Sequence, residues 1–211
     1  QARFRLDAEV VRDVALASSG LLSAKMGGPG VFPPQPDGCM DLGQHRKTWK
    51  ASGGEDRFRR AAYTYRWRNT PHPALKVFDA PAGLAACTRR IRSNTPLQAL
   101  TLMNDPAFVE LALGLAKRLM AEADSAAKRI RLGFRLCLGR EPDAEELRLL
   151  TGLVERQRSE FAAQSAEAEA VVATSKPLGQ ATQPASSNTE LAAWTMAARV
   201  LLNLDETITR E

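Results

Sequence analysis

Apolar residues recur at intervals of three and four along most of this chain, a pattern typical of helices that bury one face in a core. The pattern predicts a first helix over residues 3–24, with Asp7 as its candidate N-cap. The apolar stripe of this helix comprises Val10, Val14, Ala17 and Leu21, flanked by Val11 and Leu22. A glycine-rich run from residue 25 to residue 30 ends the pattern. It is not a phosphate loop, because it follows a helix and lacks a Gly-Lys-Ser/Thr ending.

Two prolines that directly follow capping residues predict a tight elbow between two helices. Thr95 precedes Pro96, and Asn104-Asp105 precedes Pro106. Proline at the first helical position sacrifices no hydrogen bond, whereas Pro106 prevents the first helix from running straight on. The first helix places Leu97, Leu100 and Thr101 on one face. The second aligns Phe108, Leu111, Ala112, Leu115 and Leu119.

Three more helices are predicted toward the C-terminal end. The first is capped by Asp124 or Ser125 and ends at Gly139. The second is capped by Asp143 and either breaks near Gln164 or runs to about Ala168. The third is capped by Asn188 or Thr189. The polar, proline-containing residues 174–188 predict a flexible loop before the last helix. Because no series of strands is present to build a sheet, we expect one mainly α, bundle-like domain over residues 1–211.

Residues 25–93 predict a long loop-rich segment with at most a short strand pair, because proline and glycine interrupt it repeatedly. Residues 55–62 suit a short helix, and residues 63–68 alternate aromatic and polar side chains as a short strand does. Twelve basic and four acidic residues lie between Met40 and Arg92, a net charge of +8 in a chain whose total is +5. Such a segment can face an acidic neighbouring domain, an acidic polymer or nucleic acid. Nucleic acid is the least favoured of these, because no binding motif accompanies the charge.

Composition allows a sizeable core and excludes several classes of site. The chain has 211 residues and 44% hydrophobic content, and no apolar run approaches the roughly 20 residues of a membrane span. The three cysteines, Cys39, Cys87 and Cys137, form no C-x-x-C pair, so covalent haem attachment and a zinc ribbon are excluded here. Their disulfide state stays open. The chain begins at Gln1, and we expect it to be the C-terminal fragment of a longer protein.

An arginine cluster ahead of the elbow is the strongest candidate for a binding site. Arg89, Arg90, Arg92 and Asn94 precede a capped helix N-terminus, where free N–H groups and the helix dipole also attract anions. The alternative, which we favour, is internal pairing of these arginines with Asp79, Asp105, Glu110 or loop carbonyls. Catalytic residues are not identified by any motif.

His72 is the second candidate, as a general base or metal ligand near Asp79 or Cys87 in sequence. It lies in the rigid run Thr70-Pro71-His72-Pro73, but a single histidine without a second ligand at motif spacing is a weak signal. His45, in a polar loop, carries less signal still. We therefore expect neither a metal nor a cofactor in this segment.

Several short motifs together resemble a known family. They are Arg3 to Glu9, Gly27-Gly28-Pro29, Tyr63-Thr64-Tyr65, Phe78 to Pro81, Cys87 to Arg90, Asn94 to Leu100, Asn104-Asp105-Pro106, Leu138-Gly139-Arg140 and Leu201 to Glu206. As a set, they resemble a C-terminal domain of unknown function found in large secreted planctomycete proteins. Many of those proteins carry a c-type cytochrome domain upstream. The similarity spans nearly the whole chain, with residues 174–188 as a variable insert.

The resemblance implies the C-terminal module of a periplasmic or extracellular, cell-envelope protein. It implies a preceding domain in the same chain and haem c only in the part upstream. Our leading interpretation is a non-catalytic structural or interaction module that packs on that preceding domain and docks an acidic polymer or a redox partner. An alternative is part of an envelope enzyme of polysaccharide degradation, in which Arg89, Arg90, Asn94 and His72 line a cleft shared with the preceding domain. A basic nucleic-acid-binding module is the third interpretation.

Overall fold

The chain forms a mainly α domain in a computed structural model, which describes residues 4–42, 47–173 and 185–210. Its helices are α1 (Ala8–Ser18), α2 (Pro73–Val77), α3 (Pro96–Asn104), α4 (Pro106–Glu122), α5 (Ala126–Leu138), α6 (Ala144–Ala163), α7 (Ser165–Ala173), α8 (Ala185–Asn203) and α9 (Asp205–Ile208). Short 3-10 helices lie at Cys39–Leu42, Gly54–Phe58 and Ala61–Tyr63. The mainly α class, with one short strand pair, is confirmed.

The strand pair joins the two ends of the described chain. Strand β1 (Phe4–Arg5) runs antiparallel to β2 (Thr209–Arg210), with Phe4 opposite Arg210 and Arg5 opposite Thr209. The Leu6 N–H extends the pairing to the Ile208 carbonyl over 2.7 Å. The N-terminal end is therefore fixed on the helical domain.

Helix α8 is the centre of the core and packs against α4, α6 and α7. Its face of Leu191, Trp194, Thr195, Ala198, Leu201 and Leu202 is buried, as the sequence predicts. The predicted α4 face is also buried throughout. Both helices bury alanines, such as Ala112 and Ala197, whose small side chains permit close packing.

The first helix differs from its prediction. Residues 4 and 5 form a strand, and α1 ends at Ser18, well before the glycine-rich run. Gly20 adopts a φ of +75°, and the Leu21 N–H donates back to the Leu16 carbonyl, which closes the helix in a Schellman motif. Val10 and Ala17 of the predicted stripe are exposed, whereas the flanking Val11 is buried with Ala15, so the face of α1 that meets the core is rotated from the predicted one.

The helix elbow is confirmed. Asp105 accepts a hydrogen bond from the Ala107 N–H and so caps α4, and α3 and α4 meet at a bend of 60°. At the start of α3, Gln98 Oε1 accepts from the Thr95 N–H, which is half of a capping box. Ser125 and Asp143 cap α5 and α6, Gly139 ends α5 in the left-handed conformation, and α6 breaks at Gln164.

The loop predicted over residues 174–188 falls largely outside the described residues. Helix α8 begins at Ala185, so Asn188 and Thr189 lie inside the helix and do not cap it. His45 also lies outside the described residues. Within the described ranges no single helix is long and apolar enough to span a membrane, although the bent α3–α4 pair passes a test of length and composition alone.

Candidate functional site

Asp79 anchors the turn that follows α2. It has a φ of +60° and occupies the position after the helix C-cap, where the Ala80 N–H donates back to the Leu75 carbonyl. Asp79 Oδ2 accepts from Arg5 at 2.6 Å and from the Ser93 N–H and hydroxyl at 2.8 and 2.7 Å. Burial acts to raise the pKa of Asp79, but the hydrogen bonds from Ser93 and Arg5 outweigh it and hold that pKa below its usual value. All of these contacts hold a loop in place.

Arg90 and Arg92 pair with the beginning of α1. Arg90 lies 2.7 Å from Glu9 and Arg92 lies 3.1 Å from Asp7. Burial acts to raise the pKa of Glu9, but the hydrogen bond and charge of Arg90 bring the net shift below the usual value. Internal pairing thus holds for Arg90 and Arg92, although their partners are not those that the sequence predicts.

Two carboxylates that the sequence predicts as partners of the arginine cluster, Asp105 and Glu110, have other partners in the structure. Asp105 caps α4, and burial raises its pKa to about 6 against the opposing effects of the Ala107 N–H and Arg12. Glu110 is buried and pairs with Arg57 at 2.8 Å. Our prediction that these residues neutralise the Arg89–Arg92 cluster is therefore wrong for both.

Much of the basic charge of residues 25–93 is neutralised inside the domain. Arg60 pairs with Asp13 at 3.3 Å, and Arg66 pairs with Glu9 at 2.6 Å. Buried Arg59 instead donates to the carbonyls of Lys25, Gly27 and Pro29, so the glycine-rich run wraps an arginine. The segment therefore offers fewer free cations to an acidic polymer than its composition predicts.

His72 is a buried neutral base that holds a loop. Its Nε2 donates to the Pro34 carbonyl over 2.9 Å, and its ring lies 5.5 Å from that of Trp49. Trp49 donates to the neighbouring Pro33 carbonyl over 2.7 Å. Burial lowers the pKa of His72 to about 4, and the nearby charge of Arg12 acts in the same direction. Nδ1 makes no hydrogen bond within the described part of the chain.

The six candidate residues do not share one cleft. Asp79 is tied to Arg5, Arg90 and Arg92 extend to α1, and His72 is buried against Pro34. Asn94 donates to Asp205 over 3.5 Å. Arg89 is exposed, and its side chain makes no hydrogen bond or ion pair with any residue that the structure describes.

A surface that carries exposed apolar residues is the feature that sequence reasoning missed. Leu84, Ile91, Leu97 and Leu100 expose 67%, 78%, 57% and 58% of their areas. We call residues 84–100 the apolar surface. The i, i+3 spacing of Leu97 and Leu100 was visible in the sequence, but spacing alone does not tell whether a face meets the core or solvent.

The cysteines differ in their exposure. Cys87 is an exposed free thiol within the apolar surface, whereas Cys137 is buried, and burial raises its pKa to about 11. Cys39 is also a free thiol. Among the described residues, no three side chains of histidine, cysteine, aspartate or glutamate are grouped to hold a metal ion.

Comparison with known proteins shows one family. The family model PSD1, described as a protein of unknown function (DUF1553), matches residues 1–154, from β1 through the first half of α6. This range includes all six candidate residues and the apolar surface, but not the Leu201 to Glu206 motif. No curated protein and no solved structure matches the chain. Because the match covers well over half of its length, the chain belongs to the PSD1 family of proteins of unknown function (DUF1553).

Proposed function

We propose that this domain is a non-catalytic docking module that packs against a preceding domain of a longer cell-envelope protein. The observation that carries the proposal is the solvent exposure of Leu97 and Leu100 on one face of α3. Leu97 and Leu100 are neighbours on that face, and large exposed apolar patches commonly mark interaction sites.

The position of the N-terminal end supports a partner in the same chain. Arg5 of β1 donates to the Ser93 carbonyl, so β1 lies beside the segment that joins Ile91 to Leu97. A domain attached ahead of Phe4 would start next to the apolar surface. A short link favours such a contact, because it raises the effective concentration of one domain near the other.

The engagement of the candidate residues favours docking over catalysis. An enzyme with a shared cleft needs side chains free to reach a substrate, whereas Asp79 Oδ2 and His72 Nε2 already hold loops in place. Arg89 and the apolar side chains of residues 84–100 are, by contrast, exposed to solvent.

Labelling of the Cys87 thiol tests docking. N-ethylmaleimide is added to the full-length natural protein and to the 211-residue chain, and modification of the peptide containing Cys87 is followed by mass spectrometry. A covered surface slows labelling in the full-length protein by at least about tenfold, since thiol reactivity depends on access. Equal rates in the two proteins would refute docking by this surface.

The cytochrome association and the envelope location rest on the family resemblance and have their own tests. The full-length protein, oxidised and reduced, is expected to show a Soret band with reduced-state α and β bands, since haem c would lie upstream. It is expected in the periplasmic or extracellular fraction. Absence of haem bands would separate the module from electron transfer and leave the docking proposal unaffected.

A further inference from the structure

We infer that the partner of the apolar surface is a protein face that combines apolar side chains with carboxylates at its edge. This inference rests on the proposed function and adds the chemistry of the partner. It follows from three features of residues 76–104: the exposed leucines, the distribution of charge and the rigidity of α3.

The centre of the surface is apolar and preformed. Leu97 and Leu100 lie one turn apart on α3, which hydrogen bonds anchor to the rest of the domain at both ends. Gln98, which is buried, donates to the Val77 carbonyl over 3.0 Å, and Arg199 of α8 donates to the Met103 carbonyl at the other end. A fixed helix face loses little conformational freedom on binding, which favours a shape-matched protein partner.

The segment that carries these leucines is positively charged, and part of its charge is unsatisfied. Residues 80–104 contain three arginines and no carboxylate. Arg90 and Arg92 are paired, but Arg89 is exposed and has no partner among the described residues. Lys76 on α2 is likewise exposed and unpaired within the described ranges, next to the Val77 carbonyl that anchors α3. Carboxylates on the partner would complement Arg89 and Lys76.

A protein face suits this surface better than a lipid surface. Asp7 and Glu9 lie within contact distance of Arg90 and place two carboxylates beside the arginines. An anionic bilayer would repel these carboxylates, whereas a protein can place its own charges opposite each sign. A purely acidic polymer is also a poor partner, because it has no apolar groups to contact the exposed leucines.

The experiment compares surface variants with matched controls on a remote helix. For each variant, the Cys87 labelling rate in the 211-residue chain is divided by the rate in the full-length protein. This ratio cancels any direct effect of a substitution on the thiol. The test variants are Arg89→Glu and Leu100→Asp. The controls are Arg156→Glu, at an exposed arginine of α6, and Leu149→Asp, at a leucine of α6 that is 53% exposed.

We expect both test variants to lower the protection ratio by about three- to tenfold, and neither control to change it, because the partner meets Arg89 and Leu100 directly. Suppose that the full-length protein is protected, that Leu100→Asp lowers this protection, and that Arg89→Glu behaves like its control Arg156→Glu. The docking function then stands, but the inference that the partner carries carboxylates at its edge is refuted. If the unmodified full-length protein shows no protection, both proposals fail. Flotation of the 211-residue chain with vesicles of phosphatidylcholine and phosphatidylglycerol would instead assign the surface to a membrane.

Discussion

Arg5 donates a hydrogen bond to Asp79 over 2.6 Å, and this contact joins the N-terminal strand to the turn after α2. The Arg5 guanidinium is almost completely buried and also donates to the carbonyls of Ser93, Leu6 and Phe78. Asp79 in turn accepts from Ser93. One carboxylate therefore fixes two segments, 74 and 14 residues away in sequence, at the edge of the apolar surface.

Replacing Asp79 with asparagine tests this anchor. Asp79→Asn keeps the size of the side chain and tolerates the positive φ, but it removes the charge that three donors share. We expect the free energy of unfolding at neutral pH to fall by about 1–3 kcal/mol, because Arg5 stays buried with a weaker partner. Urea unfolding followed by circular dichroism measures the change. Asp37→Asn, at an exposed aspartate, is the control and should stay within about 0.5 kcal/mol.

The same substitution has a defined pH dependence. The folded-state pKa of Asp79 is lowered, so its stabilising contribution is present above the unfolded pKa of about 3.9 and is lost as pH falls through the lower folded value. The difference between the natural protein and Asp79→Asn should therefore shrink in acid. A difference that stays constant down to about pH 2.5 would show that charge is not its cause.

Local sequence signals predicted the elements of this fold better than their contacts. The caps at Asp105, Ser125 and Asp143 act within one helical turn, so residue type and spacing identify them. The partners of Arg90 and Arg92 lie 81 and 85 residues earlier in the chain. A single sequence holds no information on which distant carboxylate approaches an arginine. The internal pairing could therefore be predicted in kind, but not residue by residue.

His72 is expected to stay neutral across the physiological range. Burial lowers its pKa to about 4, since a charged imidazolium would lie among Pro34, Trp49 and the nearby Arg12. Proton NMR of the histidine ring resonances from about pH 3 to 8 measures this value directly, and His45→Gln identifies which resonance belongs to His72. Between the unfolded pKa of about 6.5 and the folded value, the unfolded chain binds more protons, so this group reduces stability as pH falls. A measured pKa near 6.5 would place the ring in solvent.

The pH dependence of stability that Asp105 contributes should be opposite to that of His72. Its folded pKa of about 6 lies above the unfolded value of about 3.9, so between these values the folded protein binds more protons, and its stability falls as pH rises. Asp105→Asn removes this titration and keeps an oxygen that can cap α4. The free energy of unfolding of Asp105→Asn, relative to the natural protein, should therefore increase between about pH 4.5 and pH 7.5. An unchanged difference for Asp105→Asn would contradict the raised pKa.

Two leucines of α3 test whether the apolar surface contributes to folding or is kept for binding. Leu102 is 2% exposed and belongs to the core, whereas Leu97 is 57% exposed on the same helix. Leu102→Ala should lower the free energy of unfolding by about 2–5 kcal/mol, because it leaves a cavity. Leu97→Ala should change it by no more than about 0.5 kcal/mol, since the side chain already meets water. Both place alanine in one helix, so helix propensity affects them alike.

Urea unfolding at two protein concentrations measures both effects and provides the control. If Leu97→Ala destabilised the chain as much as Leu102→Ala at every concentration, Leu97 would belong to the core and could not carry docking. If its cost grew with protein concentration, the leucines would be covered by a second copy of the chain, because association stabilises the folded state by mass action. The expected result, a small effect independent of concentration, leaves the face of Leu97 and Leu100 free in the isolated domain and open to its partner.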